Sequence, residues 1–348
     1  MNYLLYGAYG YTGKLMVRYS EDFGLTPTLA GRSEEKLKSL SRESGYAYQC
    51  FSLNNEQNLI EALQDFDLVV HAAGPFSRTA EPMIRACLKA RTHYLDITGE
   101  LMVFELAARY DEAAREAGVL LMSGTGFDVV PTDCVAKRLH ESLPDATHLQ
   151  LGIASLGGAL SHGTAQTVAE NLGESGAVRE AGKIKAVPVG HKEQWIDFGP
   201  KKRYAITIPW GDIATAYRTT GIPNIEVYMA VTPQFAKVNR FQSLYNPLVR
   251  LPFVKSLIKS YIENTIEGPS EEERERARSL VWGKVTNAEK EEKVVRFEGL
   301  EGYTFTAKMA LHIAKKVLNG KAKPGYFTPA GLFGSGLATE LPDCTMSE

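Results

Sequence analysis

Gly7-Ala8-Tyr9-Gly10-Tyr11-Thr12-Gly13 spaces three glycines as G-x-x-G-x-x-G, with Ala8 where the commoner G-x-G-x-x-G form has its first glycine. The residue types suit a turn that cradles a pyrophosphate. Gly7 and Ala8 let the chain bend tightly, Gly10 lets the backbone approach an anion, and Gly13 lets the next helix pack close. Amides at that helix start, including those of Tyr11 and Thr12, then face the anion, helped by the helix dipole. A nucleotide-triphosphate loop is excluded, because five residues separate Gly7 from Gly13 and Leu15 follows Lys14 where Ser or Thr would bind magnesium. About twenty residues on, Ala30-Gly31-Arg32-Ser33 offers no acid for the ribose hydroxyls of NAD. Arg32 supplies a fork of donors and Ser33 a hydroxyl, both suited to a 2′-phosphate, so NADP is the expected cofactor over NAD.

Further along, His71-Ala72-Ala73-Gly74-Pro75-Phe76 places small residues and a proline where a nicotinamide ribose would run. His71 is either a proton donor, since imidazole titrates near neutrality, or, in the preferred reading, a packed histidine at a strand end. Asp96, Glu100 and Asp128 follow strand-like segments and can face the same cleft. Hydride delivery to a C=N or C=C bond leaves negative charge on the atom beyond, which a nearby acid must protonate or polarise. A carboxyl crowded in a dry cleft stays protonated near pH 7. The competing reading has Asp96 and Glu100 bracing a loop through backbone amides, with Asp128 and Asp133 capping a helix. Ser161-His162-Gly163-Thr164 opens a further helix, with His162 a second acid candidate or an ordinary helix start.

The elements that must position these residues alternate through the first third. Strand candidates at 3–6, 28–30, 46–51, 68–72, 94–96 and 119–122 are separated by helical patterns at 11–23, 34–44, 56–65, 79–90 and 102–116. That alternation predicts a doubly wound, Rossmann-type parallel sheet. A helix beginning at Pro131 follows, and then period-two strands at 148–155, 194–198, 203–209 and 225–231. Hairpins are expected at Gly199-Pro200-Lys201 and across 286–293. Consecutive strands without crossover helices predict a second α+β domain with a mostly antiparallel sheet. A final helix at 304–318 returns to the first domain, dividing the chain into 1–127 with 302–348, and 128–301.

The chain has 348 residues, room for about two domains. Lys plus Arg number 39 against 41 Asp plus Glu, so no overall basic excess points to nucleic acid. Four cysteines lie far apart with no CxxC pair, giving no zinc framework and reading as reduced thiols. With no leader-like start and no apolar run of about twenty residues, a soluble, cytoplasmic protein is expected. No metal site is expected, since H-E-x-x-H and Cys/His spacings are absent. No tyrosine precedes a lysine by four residues, which excludes the Tyr-x-x-x-Lys mechanism. The stretch 241–262 carries apolar residues at helical spacing with Arg250, Lys255 and Lys259 between them. A buried or homodimer-facing helix is the preferred reading, and a membrane or lipid-carrier contact the alternative. The run 271–278 reads as a solvated helix face.

Taken together, these segments resemble the saccharopine dehydrogenase-like oxidoreductases, most closely the trans-acting enoyl reductase branch. The likeness is carried by Gly7–Gly13, His71–Phe76, Tyr94-Leu95-Asp96-Ile97-Thr98-Gly99-Glu100 and Gly126–Asp133. It continues through Ser161–Thr164, Glu267–Arg274, Gly302–Met309 and Thr328-Pro329-Ala330, and so runs nearly the whole chain in order. The resemblance implies a split nucleotide-binding domain, a second domain covering the nicotinamide end, NADPH as hydride donor, and reduction of an enoyl or imine bond. Ser52 departs from it, since relatives often carry an acid there beside the adenine; the chain is also shorter than the glutamate-forming saccharopine reductases, which argues against a lysine-pathway role. An NADPH-binding sensor or scaffold without turnover is the alternative function.

Overall fold

A computed structural model of the chain describes residues 2–157, 173–265 and 268–348. It contains two compact units, 1–130 with 302–332, and 131–301 with 333–348.

The first unit is built on β1 (Tyr3–Tyr6), β2 (Pro27–Gly31), β3 (Tyr48–Cys50), β4 (Leu68–His71), β5 (His93–Asp96) and β6 (Leu120–Met122). They alternate with helices α1 (Tyr11–Tyr19), α2 (Glu34–Ser44), α3 (Glu56–Leu63), α4 (Phe76–Ala90), α5 (Leu101–Arg109) and α6 (Asp111–Ala117). All neighbours pair in parallel, in the order β3-β2-β1-β4-β5-β6, and the short strand Gly325–Tyr326 extends the β6 edge. Every residue of β1 and β4 is buried, as strands covered by helices on both faces must be. Strand order reverses between β1 and β4, and ligands of such sheets bind beyond the strand ends at that point.

Boundaries depart from expectation where distant partners act. α4 starts at Phe76 rather than Thr79, because the Glu100 carboxylate accepts the Phe76 and Ser77 amides at 2.8 and 2.9 Å. The single helix expected over 102–116 breaks at Tyr110, whose hydroxyl donates to Glu81 while Asp111 accepts the Tyr326 amide. The late helix Gly302–Lys316 packs beside α1, with the rings of Tyr11 and Tyr303 meeting edge-on.

After α7 (Val130–Ser142), the second unit forms a mixed, mostly antiparallel sheet from β7 (His148–Leu156), β8 (Gly176–Glu180), β9 (Lys183–Val187), β10 (Glu193–Asp197) and β11 (Lys202–Thr207). With β12 (Asn224–Ala230), β13 (Arg278–Thr286), β14 (Glu292–Leu300) and, after β15 (Gly325–Tyr326) of the first unit, β16 (Thr345–Ser347), its main path is β10-β11-β12-β7-β13-β14-β16. Both expected hairpins form, Asp197 pairing Lys202 and Thr286 pairing Glu292. The β8–β9 hairpin was not foreseen: it turns at Ala181 and Gly182, both at positive φ, and alanine is not a residue that advertises such a turn.

Two expectations are corrected. Residues 333–348 belong to the second unit, because Thr345–Ser347 pairs antiparallel with β14. The stretch 241–262 is two helices, Gln242–Val249 and Pro252–Thr265, and its apolar stripe is exposed rather than buried: Leu244 is 74% and Leu257 65% accessible.

Candidate functional site

The loops after β1, β2, β4, β5 and β6 hold most of the candidate residues on one edge of the parallel sheet. At the first, the Gly7 and Ala8 amides both donate to Ala30 O, tying the turn to the end of β2, and the Gly10 amide donates back to Gly7 O at 2.9 Å. Gly7 has φ +89°, and a Cβ there would stand 2.8 Å from Ala72 C and Ala73 N, so the loops after β1 and β4 touch backbone to backbone. A Cβ on Gly13 would meet Gly7 O at 2.3 Å, which forces glycine where α1 crosses its own approach turn. Gly10 is less confined internally, its nearest neighbour being Gly7 O at 3.2 Å, so bareness there serves the open side of the turn. The amides of Thr12 and Gly13, in the first turn of α1, have no partner among the described residues. Backbone donors, a bare Gly10 and a helix start form a cradle that fits a diphosphate.

At the end of β2 the structure adds a residue that sequence reasoning missed. The Tyr9 ring lies over Gly31, where a Cβ would approach within 2.6 Å, and its hydroxyl accepts the Arg32 amide at 3.2 Å. The only sequence signal was a glycine ending a strand. Arg32 is exposed and makes no ion pair with a described residue. Ser33 is the N-cap of α2, yet its hydroxyl makes no capping bond. Lys36 sits 5.7 Å from the Tyr9 ring centre. A guanidinium, an uncommitted hydroxyl and an ammonium therefore share one corner, a donor set suited to a phosphate monoester.

After β4, Ala72, Ala73, Gly74 and Pro75 form a loop latched by Thr79, whose hydroxyl donates to Ala73 O at 2.7 Å. That leaves the Thr79 oxygen to accept from His71 Nε2 at 3.0 Å, so His71 carries its proton on Nε2 and Nδ1 has no partner. Burial pushes the His71 imidazole down to about 3, leaving a neutral ring packed among Tyr6, Phe76 and Tyr94.

The three carboxyls diverge. Asp96 is buried at the end of β5; one oxygen accepts the Thr98 and Gly124 amides, both at 2.9 Å, and the other accepts the Tyr94 hydroxyl at 2.8 Å. Its carbonyl also receives the Thr125 amide and hydroxyl, so this one residue joins the loops after β5 and β6. Burial raises its carboxyl from 3.8 to about 6, with the two amides holding it from rising further. Glu100 spends both oxygens on the start of α4. Asp128, half-buried after β6, packs so tightly on the β5 loop that a Cβ on Gly99 would lie 2.9 Å from its Oδ2. It makes no hydrogen bond or ion pair with a described residue, and burial drives it up to about 7.

Asp133 is in the second unit, where it accepts the Thr219 hydroxyl. His162 lies outside the described residues. Among those described, no cluster of His, Cys, Asp or Glu could hold a metal ion, and no helix is long and apolar enough to cross a membrane.

Comparison with known proteins gives concordant matches. Residues 3–122 match the saccharopine dehydrogenase NADP binding domain. A Caenorhabditis elegans lipid droplet localized protein is 32% identical over 203 residues, 53% of this chain and 47% of that protein. A mouse saccharopine dehydrogenase-like oxidoreductase is 28% identical over 62% of this chain and 58% of its own. A putative trans-acting enoyl reductase of Mycobacterium tuberculosis is 30% identical over 49% of this chain and 43% of its own. The chain thus spans about half the length of the curated relatives it matches. The solved apo saccharopine dehydrogenase (L-Glu forming) of Saccharomyces cerevisiae shares the fold at a TM-score of 0.70 and 12% identity, covering 100% of both chains.

Proposed function

We propose that this chain, whose residues 3–122 match the saccharopine dehydrogenase NADP binding domain, is an NADPH-dependent reductase of a C=C (enoyl) or C=N (imine) bond. The observation that carries the reading is Asp128: a half-buried carboxyl, pushed to about 7, bonded to no described residue and lying on the Gly99 loop. A carboxyl of this kind holds a proton at neutral pH and can give it away.

When bound, the dinucleotide supplies the hydride. The chain does the rest. The Thr12 and Gly13 amides and the start of α1 hold the diphosphate, while Arg32 and Ser33 take the 2′-phosphate. Ala72–Pro75, fastened by Thr79, gives a close-approach wall for the nicotinamide ribose. Asp128 delivers its proton to the atom beyond the one receiving hydride, which neutralises the charge that develops there. Asp96 and Glu100 are positioning residues, since their bonds, the Tyr94 hydroxyl on Asp96 apart, hold the loops of this edge.

The test is NADPH consumption by the purified protein over a panel of enoyl, imine and keto substrates, with Arg32→Asp beside it. Turnover is expected, with Arg32→Asp raising the Kd for NADPH at least about tenfold more than that for NADH. Equal losses for the two cofactors would remove the 2′-phosphate assignment. Binding without consumption across the panel would favour a sensor.

A further inference from the structure

We infer that the helical stretch 233–262 is a docking surface for an anionic lipid bilayer, lying on it rather than crossing it. The observation is the concentration of exposed apolar side chains there: of the twelve exposed large hydrophobic residues among those described, nine fall between Phe235 and Tyr261. They are ordered along the helices. Phe241, Leu244, Leu248 and Leu251 follow one another at spacings of three and four, so they form a single outward stripe. Beyond Leu251, Phe253, Leu257 and Tyr261 repeat at spacings of four and make a second stripe on the next helix.

Charge selects the occupant. Residues 233–262 contain five Lys or Arg and no Asp or Glu, in a chain whose net charge is −2. Arg240 is paired with Glu193 and Lys255 with Glu174, while Lys237 and Arg250 make no ion pair with a described residue, Arg250 donating instead to the Gly173 carbonyl. Apolar stripes flanked by cations are the composition of helices that rest in a bilayer interface, with apolar side chains among the acyl chains and cations among the phosphates. A second copy of this chain fits the face poorly. A two-fold contact sets a patch against itself, so it would face a stretch holding cations and no Asp or Glu with another of the same sign. No helix among the described residues is long and apolar enough to span, which leaves the interfacial arrangement.

The experiment is co-sedimentation of the full chain with vesicles of phosphatidylcholine alone and of phosphatidylcholine mixed with phosphatidylglycerol. Binding to the anionic vesicles is expected to exceed binding to the neutral ones by about tenfold and to weaken with added salt. Leu244→Asp with Leu248→Asp and Leu257→Asp should abolish it. Lys237→Glu should reduce it severalfold while NADPH affinity stays unchanged in both variants. Lys237, Leu244, Leu248 and Leu257 are exposed, and an unchanged circular dichroism spectrum and melting temperature report that both units are folded. Absence of binding to anionic vesicles, or equal binding to both compositions, would overturn the proposal. So would a dimer in sedimentation velocity that the three aspartates convert to monomer, since a second copy would then cover the face.

Discussion

Asp96 and Asp128 stand at the ends of adjacent strands, and burial raises both, yet only one has donors to hold its charge. Asp128 in the role of proton donor works only while protonated, so kcat should fall as pH rises through about 7. Asp128→Asn should lower kcat by about 10²–10⁴-fold and flatten that profile, with NADPH affinity held within about twofold. Asp96 leaves its mark on stability instead. Its folded value lies above its unfolded 3.8, so the native state binds the proton more tightly, and this contribution is lost as pH rises to about 6. Asp96→Asn can keep both amides on its oxygen and turn its NH₂ to the Tyr94 hydroxyl. Wild type should therefore lose about 2 kcal/mol of stability relative to this variant from pH 4 to pH 7, measured by urea unfolding. At this scale the sequence made the carboxyls visible but not their partners. Asp96 finds Gly124 twenty-eight residues away, and no local pattern distinguishes it from Asp128.

Among the elements, the turn into α1 separates two roles that G-x-x-G-x-x-G merges. Gly13 has no room for a methyl group against Gly7 O, whereas Gly10 has its neighbour at 3.2 Å. Gly13→Ala should lower the melting temperature by several degrees, while Gly10→Val should melt close to wild type and lose NADPH affinity. Glu100→Ala removes both acceptors from the first turn of α4 and should cost about 1–2 kcal/mol. It should also raise KM more than it lowers kcat, because the loop it secures is a wall rather than a reactant. The strands β1 and β4 and the helix α2 were legible from apolar runs and helical period alone. The start of α4, the break at Tyr110 and the β8–β9 turn were not, since each depends on a distant acceptor or on an alanine held at positive φ.

For the molecule as a whole, the alternation of strands and helices announced a parallel sheet, and the later run of consecutive strands announced a second one. What composition could not reveal was the fate of the tail. Thr345–Ser347 pairs with β14, so the chain's last residues complete the sheet of the second unit. Ending the chain at Leu332 should destabilise that unit selectively, seen as faster amide exchange in β13 and β14 with β1 and β4 still protected. The exposed stripe at 244–261 was equally hidden, because periodic leucines look the same whether they face a core or the outside.

The parallel sheet takes its outer strand, Gly325–Tyr326, and the helix packed on α1 from residues that follow the whole of β7 to β14 in the chain. A nascent polypeptide emerging from the ribosome therefore presents β6 with a bare hydrogen-bonding edge while the 202 residues between Met122 and Gly325 are translated. Residues 302–326 must emerge before that unit can close, and until then the β6 edge is open to chaperones that shield unpaired strands.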